Sequence, residues 1–230
     1  IEELSCITQP GSRPSVAFTD LLIPASLKSA VQTWTVNDFQ QKSPRKHSPV
    51  GDHFTVDGFY KDPARSVEAR AALAGQFRQS FPATEHSDAL AELMADRFTR
   101  LAAALDRRCL NFIVRSDHRK EDQLHLDRDA EYTSIAYLSN VSTLFANPAT
   151  LNGKRPREVP FPGAFDDSMF DLIYTMTPEI KAGLEGVPTG SLAVWPGGFC
   201  GAAHVTPPYE GSRTIVIADT TRFNQKPALP

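Results

Sequence analysis

The pattern of hydrophobic and polar positions is strongly helical in one stretch before residue 108. In "HSDALAELMADRFTRLAAAL", residues 86–105, apolar residues recur at intervals of three and four, which places them on one face of a helix. Ser87 and Asp88 offer the side-chain oxygens that accept backbone N–H groups where such a helix begins. We therefore predict an amphipathic helix whose buried face consists of Leu90, Leu93, Met94, Phe98, Leu101, Ala102 and Leu105.

The rest of residues 1–108 is more mixed. A helical pattern runs from Pro63 to Phe81, and a further helix is predicted to begin near Ser26. Between them, "QQKSPRKHSPVGDH" is rich in Pro, Ser and Lys, which is typical of a loop. Residues 1–108 are therefore predicted to form a largely helical N-terminal support, with a lid from the loop near residues 42–53.

After Arg108 the pattern changes to short β-strands separated by Gly, Pro or Asn. The segments are "CLNFIVRS", "YTSIAYLS", "STLFANPA", "GSLAVWPGG", "AAHVTPP" and "SRTIVIADTTRF". One interruption, "DSMFDLIYTMTPEIKAGLEGVPTG", is interpreted as a strand followed by a short helix. Many short strands indicate a barrel or sandwich. We predict a single domain over residues 1–230, mainly β with helices (α+β), with its β core in residues 109–223.

Composition and charge narrow the functional classes. The 230 residues are 41% hydrophobic and 22% charged, which is ordinary for a globular enzyme, and the net charge of -3 gives no basic field for nucleic acid. A small-molecule substrate is expected instead. The three cysteines are far apart and form no CxxC pair, which favours a reducing, cytoplasmic location over a disulfide framework. Because no run of roughly 18 apolar residues occurs, no membrane span is predicted.

The segment "QLHLDRDAEYTSIAYLSN", residues 123–140, contains a candidate metal site. Alternate residues of a strand point to the same side and lie roughly 6 to 7 Å apart, so His125 and Asp127 can converge on one ion. His-x-Asp also occurs by chance, and His86-Ser87-Asp88 is a second copy, which the start of the helix explains better. The motif therefore needs a third ligand.

Such a ligand is present in "GSLAVWPGGFCGAAHVTPPYEGSRTIVIADTTRF". His204 ends a short strand and Arg213 opens the next, so the two are predicted to lie close across a hairpin-like reversal. Two imidazoles and one carboxylate are the ligand set of non-haem Fe(II). A guanidinium such as Arg213 is costly to bury unpaired. Its predicted partner is either an acidic side chain, Glu210 or Asp219, or the distal carboxylate of a bound 2-oxo acid.

Residues 111–223 resemble the double-stranded β-helix (jelly-roll, cupin-like) core of the Fe(II)/2-oxoglutarate-dependent dioxygenases. The shared pattern is "HLD" at 125–127, then "TSIAYLS", "TLFANPA" and "GSLAVWP", and finally "HVTPPYEGSR" with His204 and Arg213. The spacing from His204 to Arg213 is similar to that of hypoxia-type prolyl hydroxylases and their bacterial relatives. Arg213 is followed by Thr214 and Ile215, which departs from the Arg-x-Ser of the plant-type members.

The resemblance implies a chemistry. His125, Asp127 and His204 would hold Fe(II), and 2-oxoglutarate and O2 would take the open positions. Arg213 would hold the co-substrate, which is converted to succinate and carbon dioxide while a C–H bond of the substrate is oxidised. Hydroxylation is the default outcome, and desaturation and cyclisation are alternatives. Because Asp127 is present where halogenating relatives have a small residue, halogenation is not expected.

Several further residues are candidates near this site. Thr133 or Tyr137 could hydrogen-bond the co-substrate carboxylate, although half of their strand simply packs a core. Weaker candidates, each with a more ordinary structural explanation, are Asn111, Arg115, His118, Arg128 and Trp195.

Three alternative functions remain open: a cupin-like oxygenase or isomerase that uses no 2-oxo acid, a prolyl-hydroxylase-like enzyme acting on a protein or peptide, and a binding module without activity. The preferred substrate is a small metabolite, such as an amino acid or a secondary-metabolite intermediate.

Overall fold

Two antiparallel β-sheets enclose an interior to which both contribute side chains. The computed structural model of the protein describes residues 5–7, 16–40, 51–117, 123–127, 130–160, 170–198, 201–221 and 228–229. The strands are β1 (Ser5–Ile7), β2 (Val16–Asp20), β3 (Gly51–Asp57), β4 (Cys109–Asp117), β5 (Leu124–Leu126), β6 (Ala130–Tyr137), β7 (Leu144–Ala146), β8 (Arg157–Pro160), β9 (Phe170–Tyr174), β10 (Leu184–Gly186), β11 (Ser191–Pro196), β12 (His204–Val205) and β13 (Arg213–Thr221). The helices are α1 (Ala25–Gln32), α2 (Val36–Gln40), α3 (Val67–Ser80), α4 (Ser87–Ala104) and α5 (Pro178–Ala182), with short 3-10 helices at Pro63–Arg65 and Pro148–Leu151.

The order of the strands defines the fold. One sheet has the order β1-β2-β11-β6-β13-β4-β3, and the other has the order β10-β7-β12-β5-β9-β8. From β4 to β7 the chain alternates between the two sheets strand by strand, and it alternates again from β10 to β13. The two halves interlock because the strands of one lie between strands of the other. This is the double-stranded β-helix, or jelly roll, and the predicted fold class is confirmed.

The alternation of side chains along the seven-stranded sheet gives it two different faces. On β4, Leu110, Phe112 and Val114 pack against the helices, whereas Ile135 and Tyr137 of β6 face the interior with Phe145 of the other sheet. Period-two alternation allows both faces to be buried at once. The interior face is the one that can hold a site.

Helices α3 and α4 cover the outer face of this sheet. Phe77 of α3 and Phe98 of α4 are fully buried against Phe112, with ring centroids 5.6 and 5.2 Å away. The predicted apolar face of α4 is confirmed, because Leu90, Met94 and Phe98 are buried in this cluster and Leu93 and Leu105 pack against it. The outer face of the six-stranded sheet packs instead against Ile180 of α5.

The start of α4 differs from the prediction. Ser87 does not cap the helix through its side chain: its Oγ accepts from the backbone N–H of Thr84 at 2.9 Å and donates to the carbonyl of Pro82. The N-cap position is His86, which makes no capping hydrogen bond with its side chain. Asp88 pairs with Arg78 of α3 at 3.2 Å. The Ser87 hydroxyl therefore stabilises the turn of Pro82 and Thr84, which precedes the helix, and not the first turn of the helix itself.

The N-terminal half also contributes strands that the sequence pattern did not predict. Strand β2 pairs with β11, and β3 pairs with β4, so the first 57 residues extend both edges of the seven-stranded sheet. The predicted helix near Ser26 is α1. Most of the loop near residues 42–53 lies outside the described residues, so its role as a lid stays a prediction. None of the described helices combines the length and the apolar character that a bilayer crossing requires.

The connection between His204 and Arg213 is not a hairpin. Strand β12 belongs to the six-stranded sheet and β13 to the seven-stranded sheet, so the intervening turn carries the chain from one sheet to the other. The predicted pairing across a hairpin-like reversal is therefore wrong, although both residues still belong to the interior between the sheets.

Candidate metal centre

Two neighbouring strands of the six-stranded sheet bring the predicted histidines together. His204 of β12 is the direct cross-strand partner of His125 of β5, and their ring centroids lie 4.3 Å apart. Asp127 follows β5 by one residue and faces the same interior. One donor atom from each of His125, Asp127 and His204 lies within 4.8 Å of the others. The structure thus places the three predicted ligands around one point.

Hydrogen bonds orient both imidazoles. Nδ1 of His125 lies 3.0 Å from the carbonyl oxygen of Gln123, and Nδ1 of His204 lies 3.0 Å from that of Ala202. Because a carbonyl oxygen only accepts, each Nδ1 is the donor, so Nε2 is the ring nitrogen that each histidine can offer to a metal. A backbone carbonyl behind a histidine is the usual way in which proteins fix a metal-binding tautomer.

The carboxylate of Asp127 is held from the opposite side. The indole Nε1 of Trp195 donates to Oδ2 at 3.0 Å, and Oδ1 lies 3.7 Å from Nε2 of His204. Burial raises the pKa of Asp127, but His204, His125 and the donors Thr133 and Trp195 outweigh burial, so the net pKa lies below its ordinary value. Asp127 is therefore ionised at neutral pH, as a carboxylate ligand must be.

A pair of glycines supports the backbone of Asp127. The N–H of Gly198 donates to the carbonyl of Asp127 at 2.7 Å, and the N–H of Gly197 donates to that of Glu131 at 2.9 Å. A Cβ at Gly197 would lie 2.2 Å from the carbonyl oxygen of Ala130 and 2.8 Å from that of Asp127. Only glycine permits this close approach, which holds the backbone of Asp127 in place.

The guanidinium of Arg213 lies in the same interior and is 2% exposed. Its Nη1 donates to Oγ1 of Thr206 at 2.9 Å and its Nη2 donates to Oγ1 of Thr143 at 2.8 Å. The ring of Tyr137 is 5.9 Å from the guanidinium carbon. The two hydroxyls and the aromatic ring hold this cation in a defined orientation.

The acidic partners proposed for Arg213 on structural grounds do not fit this arrangement. Glu210 is exposed, whereas the cation that influences Asp219 is Arg115 rather than Arg213. Neither residue therefore supports the interpretation of Arg213 as the partner of Glu210 or Asp219. The turn between the sheets leaves Glu210 exposed, and Asp219 lies six residues further along β13.

Thr133 and Tyr137 occupy opposite ends of the interior face of β6. Burial raises the pKa of Tyr137 to about 12, although Thr143 and the charge of Arg213 act in the opposite direction. The Thr133 hydroxyl is buried near the carboxylates of Asp127 and Asp219, and it lowers the pKa of both without forming a hydrogen bond of ordinary geometry. Contact of either residue with a co-substrate stays a prediction.

The weaker candidates are divided between the site and its surroundings. Trp195 touches Asp127, whereas Asn111 accepts a hydrogen bond from Thr55 at 2.8 Å at the rim of the sheet. The charge of Arg115 lowers the pKa of Asp219, although burial raises that pKa by more. His118 and Arg128 lie outside the described residues.

Four features around the candidate centre were not predicted from the sequence in the positions that the structure gives them. Thr206 follows His204 by two residues, so strand alternation could have placed both on one face. The "GG" after Trp195 signals a close backbone approach. The alternation from Arg213 also leads to Asp219. Thr143 gave no signal, since a threonine at the start of a strand is ordinary.

Comparison with known proteins gives a fold-level likeness. No protein-family model matches the chain, and no curated protein matches it. Solved structures that resemble it include a rice dioxygenase for auxin oxidation, with 13% identity over 90% of this chain and 73% of that chain and a TM-score of 0.41. A Pseudomonas putida prolyl-4-hydroxylase has 13% identity over 90% and 88%, with a TM-score of 0.42. HygX from Streptomyces hygroscopicus, solved with nickel and 2-oxoglutarate bound, has 9% identity over 94% and 91%, with a TM-score of 0.37. Similarity at this level does not carry an activity to this chain.

Proposed function

We propose that this chain is an Fe(II)- and 2-oxoglutarate-dependent dioxygenase that oxidises a C–H bond of a small metabolite, with hydroxylation as the default outcome and desaturation or cyclisation as alternatives. The observation that carries the proposal is the convergence of two imidazoles and a carboxylate in one interior that also contains the buried cation of Arg213. An amino acid or a secondary-metabolite intermediate is the expected kind of substrate. The net charge of -3 supports a small molecule over a nucleic acid.

The donor set fits the proposed metal. His125, Asp127 and His204 would hold Fe(II), because two neutral imidazoles and one carboxylate are the ligands that non-haem iron accepts with positions left open. Both Nδ1 atoms are already committed to backbone carbonyls, so the two Nε2 atoms are available without rearrangement. Iron, when bound, supplies the redox chemistry that couples the reduction of O2 to the oxidation of 2-oxoglutarate and substrate.

The residues around Arg213 fit the co-substrate. A guanidinium with two fixed N–H groups is suited to a carboxylate, and Thr143 and Thr206 hold it in a defined orientation. Tyr137 and the apolar side chains of Ile135 and Ile215 exclude water from this end of the interior. An interaction with the distal carboxylate of 2-oxoglutarate would be strong here because the surroundings have a low dielectric constant.

The proposal is tested by reconstitution. Purified protein supplied with Fe(II), O2 and 2-oxoglutarate is expected to form succinate, and screening metabolite pools for compounds that accelerate succinate formation would identify the substrate. Iron binding together with a substrate reaction that needs no 2-oxoglutarate would favour a cupin-like enzyme instead. Absence of iron binding would contradict the proposal.

A matched pair of histidine variants tests the metal site. His204→Ala is expected to lose iron binding and succinate formation, because it removes one of three ligands. The control is His86→Ala, which disrupts the second His-x-Asp of the chain at the start of α4 and is expected to bind iron as the unchanged protein does. Equal iron content in the two variants would show that His204 is not a ligand.

A further inference from the structure

A row of side chains crosses the interior face of the seven-stranded sheet and links the candidate metal centre to a cavity. Direct cross-strand pairs run from Trp195 to Thr133, from Thr133 to Asp219, from Asp219 to Asn111 and from Asn111 to Thr55. Directly paired residues point to the same face of a sheet. Trp195 touches Asp127 at one end of this row. The row is therefore continuous from the carboxylate ligand to the opposite edge of the sheet.

The far part of the row lines a cavity of about 290 Å³. Asp219, Asn111 and Thr55 contribute polar groups to its wall, and Ile113 of the neighbouring row contributes apolar surface. His53, which pairs with Ile113, is exposed and lies at the rim. The cavity wall thus combines apolar surface from Phe54, Phe112 and Ile113 with several polar groups, one of which is a carboxylate.

Asp219 is an unusual residue for such a place. Its Oδ1 is buried and accepts no hydrogen bond among the residues that the structure describes. Burial, together with the negative charge of Asp127, raises the pKa of Asp219 to about 7, against the opposing influence of Thr133 and Arg115. A buried carboxylate with an unused oxygen costs free energy unless a donor or a cation reaches it.

The positive charge of Arg115 is not a sufficient partner. Arg115 lies on β4 opposite Ile215, and Ile215 precedes Asp219 by four residues on β13. Its charge lowers the pKa of Asp219, but the net pKa still lies above the ordinary value. Among the described residues, Arg115 is therefore not close enough to offset the burial of Asp219, and the carboxyl group can still accept a donor or a cation from a ligand in the cavity.

We propose that Asp219 is the substrate-binding carboxylate of this enzyme and that the substrate is a small molecule with a primary or secondary ammonium group. The inference rests on the proposed oxygenase function, and it narrows the substrate class of the same site. Asp219 lies two strands from Trp195, which is about 10 Å across the sheet. An ammonium group at Asp219 would place the rest of the substrate along the apolar row of Ile135, Ile217 and Ile113, toward the strand of Trp195.

The test compares amines with their neutral counterparts. The probes are L-valine, L-proline, putrescine and glucosamine, each beside its fully N-acetylated derivative, titrated calorimetrically into the protein with Fe(II) and 2-oxoglutarate in the absence of O2. Amines are expected to bind and acetylated derivatives to bind at least tenfold more weakly. Binding of the amines to Asp219→Asn is expected to be at least tenfold weaker, because the amide keeps the shape and removes the charge. The control Glu185→Gln removes an exposed carboxylate on β10 and is expected to change nothing.

The outcomes separate the inference from the proposed function. Equal binding of acetylated probes, no binding of any amine, or unchanged binding by Asp219→Asn would overturn the assignment of Asp219, even if succinate formation showed that the oxygenase function is correct. Amine binding that depends on Asp219 in a protein that forms no succinate would support the ammonium site and contradict the oxygenase. Binding of amines together with succinate formation that amines accelerate would support both.

Discussion

At the scale of single residues, the fixed orientation of the Arg213 guanidinium leads to a specific prediction about co-substrate binding. Its two terminal nitrogens donate to the hydroxyls of Thr206, just after β12, and Thr143, just before β7, which fixes the plane of the guanidinium. Arg213→Lys keeps the positive charge but replaces the planar guanidinium, which can bind a carboxylate through two N–H groups, by a single ammonium group. We expect the KM for 2-oxoglutarate to rise about 10- to 100-fold, since a hydrogen bond to a charged group contributes about 1.5 to 3 kcal/mol.

The KM is measured from succinate formation over a range of 2-oxoglutarate concentrations. Arg100→Lys is the matched control, because Arg100 is exposed on α4 and pairs only with a neighbouring turn of the helix, at Asp96. A KM that Arg213→Lys leaves unchanged would contradict co-substrate binding by this residue.

The raised pKa of Asp219 leads us to expect that the free energy of unfolding depends on pH. Because its folded pKa is about 7 and the ordinary value is 3.8, the folded state holds the proton between these values and the unfolded state does not. The free energy of unfolding therefore falls as pH rises through this window. Asp219→Asn cannot ionise, so it should gain stability relative to the unchanged protein between pH 5 and pH 8, measured by urea unfolding of metal-free protein.

Glu185→Gln is the control for this measurement. Its free energy of unfolding should equal that of the unchanged protein at pH 5 and at pH 8. Parallel behaviour of Asp219→Asn and the unchanged protein would show that Asp219 is not buried as a carboxylic acid. Asp127 and Arg115 are the charged groups that act on Asp219, and both are retained in the variant, so their contributions largely cancel in the comparison.

The residues that could be predicted from sequence are those whose chemistry is costly without a partner. The polar residues His125, Asp127, His204 and Arg213 lie in strands or directly after one, where burial of such groups is costly without a partner. Thr143 and Thr206 could not be identified in the same way, because threonine is common in strands with or without a function. Asp219 was considered only as a possible partner of Arg213, since the sequence does not show which sheet each strand joins.

At the scale of elements, the turn after β11 is the part on which the metal centre depends most. Gly197 lies against the backbone of Asp127 and Ala130 with no space for a Cβ. Gly197→Ala must therefore displace either this turn or the carboxylate ligand. We expect iron affinity to fall by about 10- to 100-fold, which is the usual effect of disturbing the groups that orient a metal ligand.

Iron affinity is measured by competition with a chelator. The control is Gly75→Ala in α3, where an added Cβ meets nothing within 4 Å. That change should leave iron affinity unaltered and stabilise the helix by about 0.5 to 1 kcal/mol. If Gly197→Ala bound iron as tightly as Gly75→Ala, the contact with Asp127 would not be important for the site.

Elements with a strong internal period were predictable, and elements defined by distant partners were not. Helix α4 follows from the spacing of its own apolar residues, and β6 and β13 from their own β-branched residues. Strand β2 is short and pairs with β11, far along the chain, so nothing local distinguishes it from a loop. The wrong prediction of a hairpin between His204 and Arg213 has the same cause. The sheet to which a strand belongs is set by its pairing with distant strands and not by the adjacent turn.

At the scale of the whole molecule, three layers separate stability from chemistry. Helices α3 and α4 pack on the outer face of the seven-stranded sheet, the candidate site lies on its inner face, and the six-stranded sheet supplies the two histidines. Strand β4 shows the alternation within consecutive residues: Phe112 packs its ring in the helix layer, and Asn111 is the cross-strand partner of Asp219, although both residues line the cavity. The helix layer and the three candidate metal ligands have no residue in common.

This separation leads to a test on Phe112, which is 1% exposed and packs its ring against those of Phe54, Phe77 and Phe98. Phe112→Ala should destabilise the protein by about 3 to 5 kcal/mol, because it leaves a cavity in the helix layer. Phe112→Leu keeps most of the volume and should cost roughly 1 kcal/mol. Urea unfolding measures both, and chelator competition at low temperature measures iron affinity, which should stay close to that of the unchanged protein in Phe112→Leu. An iron affinity that fell in Phe112→Leu as far as in Gly197→Ala would mean that the helix layer positions the ligands, and the layers would then not be independent.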